Sequence, residues 1–364
     1  MFTALPATRI VLILMILAIV SGCATKEAVR SERYFWPQPP DAPRIEWLHS
    51  YSSQLDLKMT LFRSIKESVA GADTPISIKS PIEVRADAVR DKIYVADHEI
   101  GGVYVFDLRN NEIRILSTSG SGLPEQIAPI AMAIDADGNL YVLEPRYRRV
   151  LVYDPSEKLV RTIDLMKISR RPVALAIDKD RGRLYVSDVQ LNKIFALDLL
   201  GTRLFEFGAS GSDEGAFNRP VGITIASSGN IIVADTFNAR VQIFTESGSF
   251  LRSFGRRGDG TGDFQLIKSV AVDQDDNIYV VDGRSHSVSI FNQTGNLLLV
   301  FGGYYAVSTS GKNAPGGFSL PSGIDIDSRG RIYVADKQNR RIQVFQYLPL
   351  NSSPPAVPTV HHVK

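Results

Sequence analysis

Six carboxylates recur along this chain at close to even spacing: Asp97, Glu144, Asp188, Asp235, Asp282 and Asp336, separated by 47, 44, 47, 47 and 54 residues. Carboxylates gathered in space would suit calcium. A residue present in every repeat, however, belongs to the construction of the repeat, because a ligand site has to differ from one unit to the next. Five residues after the acid stands a cation in four of the units: Arg149, Lys193, Arg240 and Arg341. An acid closing one strand and a base opening the next are placed for charge-assisted hydrogen bonding. The six acids are therefore read as structural.

Recognition chemistry is expected where that pattern fails. The basic slot holds Gly102 in the first unit and Ser287 in the fifth, and the same two loops carry His98 and His286, with Glu99 and Arg284 beside them. In a closed ring the sixth unit lies between these two, and its loop contributes Gln338 and Asn339. These six residues are the candidate partner-binding set, bordering one sector of one face. A catalytic zinc wants three protein ligands and an open position. His98, His286 and Glu99 are the conceivable set, and they would have to meet across blades. The sequence holds no nucleophile elbow, Walker loop or dinucleotide motif. No catalytic residue, metal ligand or cofactor is assigned, with zinc and calcium left open.

The elements that position these residues are short strands. Each acid ends an apolar run rich in β-branched and aromatic residues, such as Lys92-Ile-Tyr-Val-Ala-Asp97 and Arg331-Ile-Tyr-Val-Ala-Asp336. Upstream lies an inner strand such as Val221-Gly-Ile-Thr-Ile225; downstream lie a third, Arg240-Val-Gln-Ile-Phe244, and a fourth, Ser249 to Phe254. Four strands per unit at a period in the forties predict an all-β, six-bladed β-propeller. Its blades fall at about 78–120, 127–166, 171–208, 218–255, 266–302 and 320–347. The connectors Phe207-Gly208 to Phe217, Phe254-Gly255 to Phe264 and Phe301-Gly302 to Phe318 read as turns that tuck a phenylalanine between blades.

After Phe345 no fourth strand follows, and Arg44 to Tyr51 supplies a suitable one. Pairing there would close the ring and cover an open edge. Leu61, Phe62, Ile65 and Val69 sit at helical spacing, which predicts a short helix over Leu61 to Ala70 before blade one.

The N-terminus carries an address. Arg9 precedes an apolar run from Ile10 to Val20 and then Ser21-Gly22-Cys23. Eleven helical residues reach about 16 Å, half a bilayer, so the segment reads as a signal-peptide core. Cys23 is the sole cysteine of the chain, which leaves no disulfide. The expected organisation is a lipoprotein signal peptide over 1–22, a membrane tether over 23–43, the propeller over 44–350 and a disordered tail over 351–364. A formal charge of +2 gives no electrostatic reason for a nucleic-acid partner.

The units resemble NHL repeats, most closely in blades four and six: Pro220-Val-Gly-Ile through Asp235, Asn238 and Arg240 to Phe244, and Pro321-Ser-Gly-Ile through Asp336, Asn339 and Arg341 to Phe345. Blade two departs at Glu144-Pro145 and blade five lacks the proline. Val20 to Cys23 is similar to a bacterial lipobox, which implies acylation of Cys23. Ala24 after it implies outer-membrane sorting, on the periplasmic face or at the cell surface. The whole layout resembles a group of bacterial six-bladed propeller lipoproteins. That group has no established activity; the expected function is a monomeric, non-catalytic, membrane-anchored scaffold of the cell envelope that holds a protein, peptide or glycan. The alternative is a metal-dependent lyase or lactonase-like hydrolase with a site on the propeller axis.

Overall fold

The computed structural model describes residues 33–38, 40–58, 74–118, 126–305 and 314–349. These form six antiparallel sheets. Blade one comprises β3 (Pro81–Asp87), β4 (Lys92–Asp97), β5 (Gly102–Asp107) and β6 (Glu112–Ile115); blade two, β7 (Ala131–Ile134), β8 (Leu140–Glu144), β9 (Arg149–Tyr153) and β10 (Leu159–Asp164). Blade three runs through β11 (Pro172–Asp178), β12 (Arg183–Asp188), β13 (Lys193–Asp198) and β14 (Arg203–Phe207). Blade four has β15 (Pro220–Ile225), β16 (Ile231–Asp235), β17 (Arg240–Phe244) and β18 (Phe250–Phe254). Blade five has β19 (Ile267–Val272), β20 (Ile278–Asp282), β21 (Ser287–Phe291) and β22 (Leu297–Gly302). The first strand of each blade is innermost, and blade six packs back onto blade one through β23 (Pro321–Ile326) and β3.

The second strands are apolar along their length because neighbouring blades cover both of their faces, and β8, β16 and β20 are buried at every position. The fourth strands face solvent on one side and alternate instead, as Leu159–Asp164 does. Phe217, Phe264 and Phe318 are fully buried between blades, as the connector pattern predicted. Gly208, Gly255 and Gly302 sit at positive φ of 94°, 94° and 100°, with the phenylalanine ring against the bare Cα.

The ring closes with blade six, where β24 (Arg331–Asp336) and β25 (Arg341–Tyr347) are followed by β2 (Ile45–Tyr51) as the expected fourth strand. Ile45 pairs with Tyr347 and Tyr51 with Ile342. Trp47 Nε1 donates to Gln343 Oε1 at 3.1 Å, and Arg44 Nη2 to the Tyr347 hydroxyl at 2.8 Å. A fifth strand, β1 (Tyr34–Trp36), lies outside β2. Part of the segment read as tether is thus built into the sheet. Trp36 makes the difference: its ring packs on Phe301 and Phe345, at 6.3 and 5.9 Å between centroids, over the space left by Gly316. The helix expected over Leu61 to Ala70, the signal segment with Cys23, and the tail over 351–364 lie outside the described residues. After β2 the chain makes a 3₁₀ turn, Gln54–Asp56, capped by Ser53.

The outer rim repeats a feature that periodicity alone does not disclose. In five blades the outer strand carries a β-bulge whose extra residue is Leu48, Val160, Leu204, Leu251 or Leu298. All five side chains are exposed. A bulge breaks the regular ladder and so blunts an edge that could otherwise pair with another chain.

Candidate functional site

Strand direction places the loops between second and third strands on one face, the upper, and the turns between first and second strands on the other. The six repeated acids end second strands at the upper face, all buried to 1% exposure or less. They staple the incoming connector to the loop that follows, in two ways. Where no arginine is available, the carboxylate takes backbone amides. Asp97 accepts from Lys79 and Ser80 at 2.8 and 2.7 Å and from Glu99 and Ile100 at 2.9 and 3.3 Å. Asp282 repeats this with Gln265, Leu266, Arg284 and Ser285. Asp188 does so as well, adding the Ser169 hydroxyl at 2.5 Å. Burial opposes the charge on Asp188, but these donors outweigh it and hold its carboxyl below the usual range.

In the second arrangement the base five residues on is the partner. Arg149 Nε meets Glu144 at 2.6 Å, Arg240 Nε meets Asp235 at 2.9 Å and Arg341 Nε meets Asp336 at 2.8 Å. Lys193 departs from the expected pairing: its ammonium contacts Glu206 at 2.5 Å, leaving Asp188 to the amides.

The candidate partner residues of blades one, five and six share the upper face but differ in what they do. Asn339 belongs to the frame: its Nδ2 donates to Asp336 at 2.9 Å and to the Tyr305 carbonyl at 2.8 Å. Asn238 does the same in blade four, to Asp235 and the Gly211 carbonyl. His286 is tied down as well. Its Nδ1 accepts from the Leu320 amide at 3.0 Å, and its ring lies 4.8 Å from that of Tyr304. Burial lowers its pKa, against the opposing pull of Asp336 and Asp282. His98, Glu99, Arg284 and Gln338 are exposed. Among the described residues, no three or more His, Cys, Asp or Glu side chains gather in a group able to hold a metal ion. His98, Glu99 and His286 remain distributed over two blades with blade six between them.

The same sector holds two residues that the sequence reading passed over. Lys268 is the second residue of the inner strand of blade five, its chain lying against Gly283, and Lys337 follows the blade-six acid. Partial burial, reinforced by the Lys337 ammonium, lowers the Lys268 pKa, with Asp282 opposing. Among the described residues, neither lysine nor Arg284 has an ion-pair partner. The signal was legible as register: where Lys268 stands, the other inner strands carry Ile82, Ile130, Val173, Val221 and Ser322.

A second constellation lies on the axis and faces the opposite side. The inner strands and the lower turns enclose a cavity of about 510 Å³. Opposite the same position of each second strand, the inner strands present Arg85, Ala133, Ala176, Thr224, Ala271 and Asp325. Only blades one and six place charge at this level of the axis. Arg85 Nη1 donates to Glu83 Oε1 at 2.7 Å and to the carbonyls of Val84 and Ile324 at 2.7 and 3.1 Å. Asp325 Oδ2 accepts from the Ala86 amide at 2.8 Å. Burial pushes the Glu83 carboxyl up to about 7, with Arg85 opposing, and raises that of Asp325.

That displacement has a stability consequence. A carboxyl whose pKa is raised on folding favours the folded state below its unfolded value, near 4.5, and that contribution is lost as pH rises toward 7. Glu83→Gln is therefore expected to flatten the fall in stability between about pH 4.5 and 7, by roughly 1–3 kcal/mol across the window. Urea unfolding of both proteins at several pH values measures it; parallel curves would exclude the assignment.

Comparison with known proteins agrees with this architecture. A family model described as a 6-bladed β-propeller matches residues 212–298, and the NHL-repeat model matches residues 318–345. The human E3 ubiquitin-protein ligase TRIM32 is 47% identical over 45 residues, which are 12% of this chain and 7% of that protein. TRIM71 of Rattus norvegicus is 32% identical over 126 residues, 32% of this chain and 13% of that protein, so only a small part of either relative is represented. Among solved structures, that of streptogramin B lyase superposes with a TM-score of 0.56 at 12% identity, over 75% of this chain and 95% of that one. An auxiliary nutrient binding protein from Bacteroides ovatus superposes with 0.56 at 13% identity, over 76% and 71%. Identities this low show the fold alone. The chain is a six-bladed β-propeller, and its residues 318–345 match the NHL repeat.

Proposed function

We propose that this propeller is a lipid-anchored, non-catalytic binding scaffold of the bacterial cell envelope. Its upper face, at blades five, six and one, would hold a protein, peptide or glycan that carries negative charge. The observation that carries the reading is the gathering of Lys268, Lys337 and Arg284 in the sector where the repeat's acid–base frame is incomplete. Cations left unpaired at a surface are available to carboxylate or phosphate groups of a partner, and they speed encounter as well as select it. The anchor is supported by the apolar run from Ile10 to Val20 and by Cys23. Two or more acyl chains hold a protein at a bilayer where one is marginal.

The test is crosslinking in intact cells from a photoreactive residue at Gln338, followed by mass spectrometry. A defined envelope product is expected with the wild-type chain. It should fall at least tenfold in a His98→Ala, Arg284→Ala, Lys337→Ala variant, and disappear in Cys23→Ser, which should move to the soluble fraction. Undiminished capture by the triple variant would remove this sector from the reading, and membrane retention of Cys23→Ser would remove the anchor.

A further inference from the structure

The axial cavity lies on the face opposite the sector just described, and its chemistry is independent of the envelope reading. Four of its six walls at the charged level are small, being Ala133, Ala176, Thr224 and Ala271, while adjacent blades one and six supply Arg85 and Asp325. The acids of the lower turns are already satisfied. Asp135 accepts from the Asn139 amide and side chain, Asp178 from Asp180 and Arg181, and Asp327 from Arg329, Arg331 and Tyr333. Asp87 accepts from Val89 and Arg90.

Arg85 and Asp325 retain capacity. Part of their work is to satisfy the free inner edges of β3 and β23, which explains Nη1 of Arg85 and Oδ2 of Asp325. Nε and Nη2 of Arg85 meet no protein acceptor among the described residues, and Arg85 lines the cavity. Asp325 lines it too and feels the Arg85 charge, yet no cation contacts its carboxylate among the described residues. Arg85 is already paired with Glu83. Two carboxyls, Glu83 and Asp325, face the single guanidinium of Arg85, so Asp325 has no cation of its own in the site. Lys179, from blade three across the ring, stands at the mouth and reaches Asp325 only through its field.

We propose that this cavity binds a small zwitterion of the α-amino-acid class. The ligand's ammonium would meet Asp325, its carboxylate or carbonyl oxygen would accept from Nε and Nη2 of Arg85, and its side chain would lie against Ala133, Ala176 and Ala271. An ammonium next to an sp² oxygen is shared by a free amino acid and by the amino terminus of a peptide. The volume, about 510 Å³, lies within the usual range for small-molecule sites. A ligand in contact with both groups completes hydrogen bonds that the fold leaves open, and charge-assisted bonds of this kind each carry roughly tenfold or more in affinity.

Isothermal titration of the full chain in detergent, with L-alanine, L-leucine, L-alaninamide and dialanine, tests the assignment. Propionate and ethylamine serve as single-charge controls. Saturable binding of at least one zwitterion or amino-terminal probe is expected, at least tenfold tighter than either control. Preference for alanine over alaninamide and dialanine would identify the free amino acid; the reverse would identify a peptide terminus. Asp325→Asn keeps an acceptor for the Ala86 amide and should weaken binding tenfold or more. Ala133→Leu fills the cavity without touching the charges and should abolish binding while the far-ultraviolet spectrum is unchanged. Saturation by none of the four probes, or equal affinity in wild type and in a folded Ala133→Leu variant, would overturn the proposal.

Discussion

Replacing Asp336 by alanine is expected to lower the unfolding free energy by about 3–5 kcal/mol, among the largest single-residue losses in the molecule. The reason is Arg341. Its side chain is 3% exposed and its Nε donates to Asp336 Oδ2, while Nη2 is held by the carbonyls of Ala314 and Gly317. Removing the carboxylate takes the Asp336 counter-charge away from a buried guanidinium. Asn339 and Gln343 each lose one of two acceptors, and the Ser319 amide loses its carboxylate acceptor. Asp97→Ala is the useful contrast, because it strands only backbone amides and should cost less, about 2–3 kcal/mol. Chemical denaturation of the two variants measures both. A loss below about 1 kcal/mol for Asp336→Ala would mean that the acid is not the fastener of this blade.

The second large effect concerns closure. Ile45 is fully buried among Phe301, Phe318 and Phe345, where β2 completes the last blade. Ile45→Asp sets a carboxylate in that cluster and should cost about 4 kcal/mol or more, with loss of a single cooperative transition. Leu48→Asp, three positions on, should change stability by no more than about 0.5 kcal/mol, because Leu48 is the bulged, exposed residue of the same strand. Denaturation curves and limited proteolysis distinguish these outcomes. Equal sensitivity at the two positions would show that β2 is not the element that holds the ring shut.

The contrast between Ile45 and Leu48 also marks how far a sequence reading reaches here. That Arg44 to Tyr51 would close blade six followed from counting strands, since an unpaired edge required a partner and one segment could supply it. That Leu48 would be the residue turned outward did not follow, because a bulge shifts the two-residue alternation on which facing is inferred. The fifth strand was hidden for another reason. Tyr34–Trp36 lies among prolines that read as a linker, and what holds it is an indole filling the space above Gly316, a contact spanning most of the chain.

The candidate residues divide in the same manner. The contrast between repeats directed attention to His98, Glu99, Arg284 and His286. It also included Asn339, whose part in the frame is visible only once the Tyr305 carbonyl and Asp336 are seen beside it.

From sequence alone came the number of blades, the two ends that join and the reading of the repeated acids as structural. All three rest on local strand chemistry repeated at a fixed period, so each copy confirms the next. Tertiary structure decided what converges on the axis. Arg85 donates to the Ile324 carbonyl 239 residues away, and Asp325 accepts from the Ala86 amide at the same separation. Arg85 and Asp325 occupy one register position in their separate blades, and nothing in their own neighbourhoods distinguishes it from a solvent-facing one. Only closing the ring brings the inner edges together and turns that position into the wall of a cavity.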